Sequence, residues 1–212
     1  DGMLHAFEIQ SNQDGEIKGD EIFAYIPNFV IENLIALADP GYRHKYYVDL
    51  TPTVTKGKGL LGGDDFETIL VGGLGKGGKG YFALDISDPG SMSAENVLWE
   101  FPNAVSLDDI DNIGFSFSRP LVVRTNSLAD DETWVVIFGN GYDSANGNAA
   151  LYLLHPKTGD IVKKMVADNP TIDSGNGLSS PIAVDVNADL KVDFVYAGDL
   201  KGNMWKFDLT ST

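Results

Sequence analysis

Short apolar runs, some alternating and some continuous, are separated along this chain by stretches rich in Gly, Asn and Asp. Four of the runs share one pattern, a polar or glycine turn followed by an apolar strand and an acidic or turn residue. The copies are Gly2-Met-Leu-His-Ala-Phe-Glu8, Gly80-Tyr-Phe-Ala-Leu-Asp85, Ala150-Leu-Tyr-Leu-Leu-His155 and Gly202-Asn-Met-Trp-Lys-Phe-Asp208. A second apolar run precedes each of the last three, at 68–71, 133–138 and 193–197, and a Gly/Asn-rich stretch joins each pair. Two strand-like runs with such a turn between them predict a β-hairpin. Candidate inner strands precede the hairpins at 48–54, 115–124 and 178–184, and each carries a proline, compatible with a strand start or edge. Candidate outer strands follow at 96–101 and 155–162.

An inner strand, a hairpin and an outer strand make a four-stranded blade, and blades repeated about an axis make a β-propeller. The predicted fold class is therefore all-β, a β-propeller with about three blades in one domain spanning 1–212. The repeat interval, from Phe7 to Leu84, Leu154 and Phe207, is 77, 70 and 53 residues. These intervals exceed the roughly 40–50 residues of common propeller repeats, which implies inserted loops. Closed propellers have about four to eight blades, so the chain reads as a segment of a larger propeller. Its first strand, residues 3–8, is expected to lack an upstream hairpin partner. A short helix is predicted over 28–39, capped by Asn28 and ended before Pro40. The acidic stretches 108–112 and 130–132 read as solvated loop tips.

Composition narrows the chemistry. With 31 acidic against 15 basic residues in 212, the formal net charge is −16. That opposes a nucleic-acid surface, which rests on Lys and Arg contacts to phosphates. The absence of cysteine excludes disulfides, thiolate nucleophiles and Cys–zinc sites. No apolar stretch approaches the ~18 residues of a transmembrane helix.

One segment concentrates oxygen ligands at a regular spacing. In Asp185-Val-Asn-Ala-Asp-Leu-Lys-Val-Asp193, oxygen-bearing side chains occupy loop positions 1, 3, 5 and 9. A Ca²⁺ ion takes six to eight oxygens at about 2.3–2.6 Å, so a short loop must turn alternate side chains inward. Asp185, Asn187, Asp189 and Asp193 supply side chains, and Lys191 supplies a backbone carbonyl. The loop departs from the EF-hand pattern at Leu190, where glycine is expected, and at Tyr196, where a bidentate Glu would stand. A strand follows it in place of a helix. The competing reading is an acidic Asx-turn between strands, held by side chain–backbone bonds.

Other motifs carry less. Gly73-Leu-Gly-Lys-Gly-Gly78 matches G-x-G-x-x-G, but a strand follows it where a dinucleotide site needs a helix N-terminus; it reads as a flexible hairpin turn. Gly177-Leu-Ser-Ser180 is not a nucleophile elbow. His5, His44 and His155 lack a second ligand at metal spacing and are assigned structural or surface roles. Trp99, Trp134 and Trp205 recur at comparable strand positions and are assigned to blade packing, with a sugar platform as the lesser reading.

Several segments together resemble the PilC/PilY family of type IV pilus proteins: Asp1-Gly-Met-Leu-His-Ala-Phe7, Leu70-Val-Gly-Gly-Leu-Gly-Lys-Gly-Gly-Lys-Gly-Tyr81, Phe115-Ser-Phe-Ser-Arg-Pro120, Phe138-Gly-Asn-Gly-Tyr142 and Tyr196-Ala-Gly-Asp-Leu-Lys-Gly-Asn-Met-Trp-Lys-Phe207. The resemblance runs in order through nearly the whole chain. It implies a modified β-propeller, a role in pilus biogenesis and tip adhesion, and a place at the cell surface, outer membrane or pilus tip. Minor pilins, and host or abiotic surfaces, are the implied partners. It also implies a regulatory Ca²⁺ site, which falls on Asp185, Asn187, Asp189 and Asp193. No nucleophile–base pair or cofactor pocket can be assembled from the motifs, so a non-catalytic function is expected. The family loop usually carries Gly at position six, so Leu190 is expected to weaken affinity. The alternative is a quinone-dependent (PQQ) dehydrogenase propeller, whose blades contain turns like His155-Pro-Lys-Thr-Gly159. A third reading, an integrin-like propeller with several Ca²⁺ loops, fits poorly with one full loop in three repeats.

Overall fold

The computed structural model describes residues 2–11, 15, 17–103, 107–126, 134–167 and 175–211. It opens with β1 (Leu4–Phe7), β2 (Gln10–Ser11), β3 (Ile17–Lys18) and β4 (Glu21–Tyr25), in which β1 pairs with β4 and β2 with β3. Helix α1 (Asn28–Leu34) follows and tightens into a 3₁₀ turn, Ile35–Ala38. A four-stranded antiparallel blade comes next, β5 (Thr53–Lys58), β6 (Phe66–Gly73), β7 (Tyr81–Asp85) and β8 (Val97–Phe101), in that spatial order. After α2 (Leu107–Asn112), a second blade runs β9 (Leu121–Arg124), β10 (Trp134–Gly139), β11 (Ala150–Leu154) and β12 (Ile161–Val166). A three-stranded blade closes the described chain, β13 (Ile182–Val184), β14 (Phe194–Gly198) and β15 (Met204–Asp208).

The blades stack face to face, and the two-residue period of a strand assigns each side chain to a neighbour. In the second blade Val136, Phe138, Ala150, Tyr152 and Leu154 join Ile69, Val71, Tyr81, Ala83, Trp99 and Phe101 of the first blade in one buried cluster. The alternate residues, Val135, Ile137, Leu151 and Leu153, face the third blade and bury Val195, Ala197 and Phe207. On its far side the first blade presents Leu70, Phe82 and Leu84 to Leu4, Phe23 and Tyr25 of the β1–β4 hairpin. Burial on both faces explains why β7, β10 and β11 read as continuous apolar runs. An aromatic stack, Tyr81 on Phe138 at 4.1 Å and Phe138 on Tyr152 at 5.9 Å between centroids, fills the first interface.

Polar side chains stitch the layers. Asn140, fully buried, accepts from the amides of Ala150 and Leu178 and donates to the carbonyls of Asn112 and Asn148. The Ser118 hydroxyl accepts from Gly139 N at 2.8 Å and donates to Ser179 O at 3.3 Å. Trp99 Nε1 donates to Pro156 O at 2.8 Å, and Trp134 Nε1 to Lys58 O at 3.1 Å, so both indoles cross from one blade to the next. This bears out their assignment to blade packing.

The mostly-strand architecture agrees with the sequence expectation, but several boundaries move. The inner strands begin later than predicted, at Thr53, Leu121 and Ile182. The partner of the opening strand is β4, downstream, which the hydrophobic pattern did not reveal. Pro27, not Asn28, is the helix N-cap, and Asn28 N donates instead to Glu100 Oε1 at 2.8 Å. The stretch 108–112 is helical, not a loop tip, and Asp109 there pairs with Lys164 at 3.4 Å. The other expected tip, 130–132, lies outside the described residues.

Candidate calcium loop and adjoining cleft

Residues 185–193 form the hairpin loop between β13 and β14. It is closed at its base by the pairing of Val184 with Phe194 and by Asp193 N donating to Val184 O at 3.0 Å. Asp185 Oδ1 accepts from Asn187 N at 3.2 Å and Ala188 N at 2.7 Å, and its Oδ2 accepts from Leu190 N at 2.9 Å. Asn187 Oδ1 takes Asp189 N, and Asp189 Oδ1 takes Lys191 N, each at 2.9 Å. Asp193, only 3% exposed, takes Val186 N at 2.8 Å through Oδ2. The spacing read from sequence thus brings all four side chains onto one coiled loop backbone. Leu190 stands at φ 68°, the left-handed turn that position six of such a loop demands, and Ala188, at position four, is left-handed too at φ 62°.

The donor atoms have the chemistry of a hard-cation site, being carboxylate, amide and peptide oxygens. In this conformer, however, the carboxylates bond to loop amides, as nested Asx turns do. Among the described residues no three His, Cys, Asp or Glu side chains converge as a metal cluster.

The loop is anchored to the second blade. Val192 N donates to Arg124 O at 2.7 Å, Thr125 forms a parallel bridge with Val192, and Lys191 Nζ reaches Asn126 Oδ1 at 2.7 Å. The buried Thr125 hydroxyl lies 3.3 Å from both Val192 O and Leu209 O. Beside this anchor a cleft of about 440 Å³ opens, with Lys56, Lys58, Phe66 and Trp134 among its walls together with Arg124, Leu190 and Lys191. Sequence reasoning missed it, because its walls meet only when the blades stack. The one local signal is Lys56 and Lys58 two apart on a strand, hence on one face.

The other motifs resolve into structure. The glycine-rich stretch 73–78 is a turn, as expected, and its first half, Gly73 to Gly75, is buried. The Ser116 hydroxyl lies within hydrogen-bond reach of Leu74, Gly75 and Gly80 amides, and a Cβ on Gly77 would meet Tyr47 O at 1.8 Å. Those amides are committed to Ser116 and are not presented to a phosphate. His155 Nδ1 accepts from Lys157 N and Thr158 N, closing its turn, and His5 Nδ1 lies 2.6 Å from Glu21 Oε1 across the opening hairpin. In the third blade Asp199 gathers Asn176 Nδ2 at 2.9 Å, Asn203 N and Nδ2 at 2.8 and 2.9 Å, and Trp205 Nε1 at 2.8 Å. Partial burial pushes the Asp199 carboxyl up, but these donors outweigh it and hold the group well below the usual carboxylate range.

Comparison with known proteins supplies the family. The sequence profile of the PilY1 beta-propeller domain matches residues 1–212. A type IV pilus biogenesis factor PilY1 homolog of Xylella fastidiosa is 38% identical over 218 residues, covering 99% of this chain and 14% of that protein. The type IV pilus biogenesis factor PilY1 of Pseudomonas aeruginosa is 41% identical over 212 residues, covering 99% of this chain and 16% of its own length. The chain therefore spans about one-sixth of the relatives it matches. The crystal structure of the Pseudomonas aeruginosa PilY1 C-terminal domain superposes with a TM-score of 0.72 at 38% identity, covering 99% of this chain and 37% of that one. With stacked antiparallel blades, a full-length profile match and this likeness to a solved fold, the chain belongs to the PilY1 β-propeller domain family.

Proposed function

We propose that this propeller domain serves a type IV pilus biogenesis factor as a non-catalytic, calcium-responsive binding module, with pilus proteins, minor pilins among them, as its partners. It would act outside the cytoplasm, at the cell surface or pilus tip, in pilus assembly, extension–retraction balance and adhesion to host or abiotic surfaces. The observation that carries the reading is the 185–193 loop, with three carboxylates and an amide oxygen at hard-cation spacing and a left-handed turn at position six, in a chain of this family.

Asp185, Asn187, Asp189 and Asp193 would hold the ion through side chains, and Lys191 through its carbonyl. A divalent cation there offsets repulsion among three neighbouring carboxylates. The chain's own residues supply the coupling: because Val192 is bonded to Arg124 and Thr125, a change in the loop's path reaches the junction of the second and third blades. The resulting shift in partner affinity is bounded by the ion's differential affinity for the two loop states.

Isothermal titration with Ca²⁺, and with Mg²⁺ as control, tests the site. Binding is expected for Ca²⁺ over Mg²⁺, with losses well beyond tenfold on Asp185→Ala or Asp193→Ala while the circular dichroism of the fold is kept. Identical titrations for wild type and both variants would remove the site.

A further inference from the structure

The cleft beside the loop differs in charge from the molecule that carries it. The chain as a whole is at −16, whereas among the described residues Lys56, Lys58, Arg124 and Lys191 line this cleft against one carboxylate, Asp185. Its apolar wall is equally distinctive: Phe66, 66% exposed, and Leu190, 77% exposed, line it together with Trp134. Trp134 and Arg124 are of the residue types enriched at interface hot spots.

We propose that the cleft docks a short acidic segment of a partner protein, one that carries an aromatic or aliphatic side chain, and that Leu190 forms its apolar lip. The occupant is set by charge complementarity. Carboxylates are drawn to the lysines, Lys56 and Lys58 above all, and the apolar side chain is drawn to Phe66, Trp134 and Leu190. The segment is short because screening confines the attraction to about 8 Å at physiological salt. A long polyanion would lay its remaining charges over a strongly acidic surface. The volume, about 440 Å³, suits a few side chains and not an extended surface. The inference also accounts for a residue the calcium reading leaves unexplained. At φ 68° a glycine would be unstrained, yet the chain places there an exposed leucine that lines the cleft. Strain of this kind is characteristic of ligand-contacting positions.

The docking does not rest on bound calcium, so the two are tested separately. A fluorescein-labelled pentapeptide of four Glu around a central Phe is titrated by anisotropy at physiological salt, against its counterpart with Gln for Glu and against a poly-dT oligonucleotide. The acidic peptide is expected to bind at least tenfold tighter than the Gln peptide, and tighter than the oligonucleotide. The Lys56→Glu/Lys58→Glu variant, checked for an unchanged melting midpoint, should lose at least tenfold. Leu190→Gly should weaken the peptide several-fold. No peptide binding below millimolar, equal binding of Glu and Gln peptides, preference for the oligonucleotide, or an unaffected lysine variant overturns the docking site. Unchanged peptide affinity in Leu190→Gly overturns the role of Leu190. A flat calcium titration alongside normal peptide binding overturns only the ion site.

Discussion

At Leu190 the backbone adopts φ 68°, a conformation that costs an L residue about 1–2 kcal/mol relative to glycine. Neighbouring Asn187 and Asp189 cannot take over that position, since both are committed to the 1, 3, 5 spacing. Because the loop already holds this turn with its carboxylates on loop amides, the strain burdens the fold itself, and Leu190→Gly is expected to raise the denaturant midpoint while leaving Ca²⁺ affinity near wild type. Asp199 makes the contrasting case, a carboxylate fully engaged in holding structure. Its four hydrogen bonds depress its pKa, so it stabilises the fold above the ordinary carboxylate value of about 4. That contribution is lost as pH falls from there through the folded value. The melting midpoint of Asp199→Asn should accordingly lie below wild type at pH 7, with the gap closing from about pH 4 downward; a gap independent of pH would mean the carboxylate charge is not what matters. Of these two residues only Leu190 was legible beforehand, because oxygen spacing within nine residues fixes the turn. Asp199 was quoted only as part of a family motif, since Asn176 reaches it from outside its own hairpin.

The interface between the first and second blades places glycines of each under tryptophans of the other. Trp134 of β10 lies against Gly57 of β5, where an added Cβ would come within 2.5 Å of the ring, and Trp99 of β8 lies likewise on Gly159. Gly57→Ala should therefore destabilise the domain by roughly 1–3 kcal/mol through overpacking. Trp134→Leu should relieve that clash, so the double variant should lose less than the sum of the singles in a denaturant-midpoint cycle; simple additivity would show that the two side chains do not meet. The hairpins β6–β7, β10–β11 and β14–β15 were readable because both strands are apolar with a Gly/Asn turn between them. The inner strand β5 was expected but set too early, at 48–54, since Thr53-Val-Thr-Lys-Gly-Lys58 buries little beyond Gly57 and reads as polar. The β1–β4 pairing was missed because β4 alternates weakly, with Ile22 exposed.

Across the whole molecule, the stacking order of the hairpin and three blades is what brings β5, β9 and the 185–193 loop to one place, although they lie far apart in sequence. The fold class was therefore legible from repeats, the loop from its spacing, and the cleft from neither. The same order has a kinetic consequence. Every blade is a meander of strands consecutive in the chain, so each can close over short loops. The ties made by Asn140, Ser118 and Thr125 instead join residues 38, 61 and 84 positions apart. Contacts between near neighbours form sooner than distant ones, because less chain entropy is lost in closing them. Blades should therefore close in succession as the chain emerges, each offering a template face to the next, with the buried ties last. Pulse-labelled hydrogen exchange during refolding checks this: the amides of β10 and β11 are expected to gain protection before that of Leu178, whose partner is Asn140. Simultaneous protection would mean instead that no blade is a folding unit by itself.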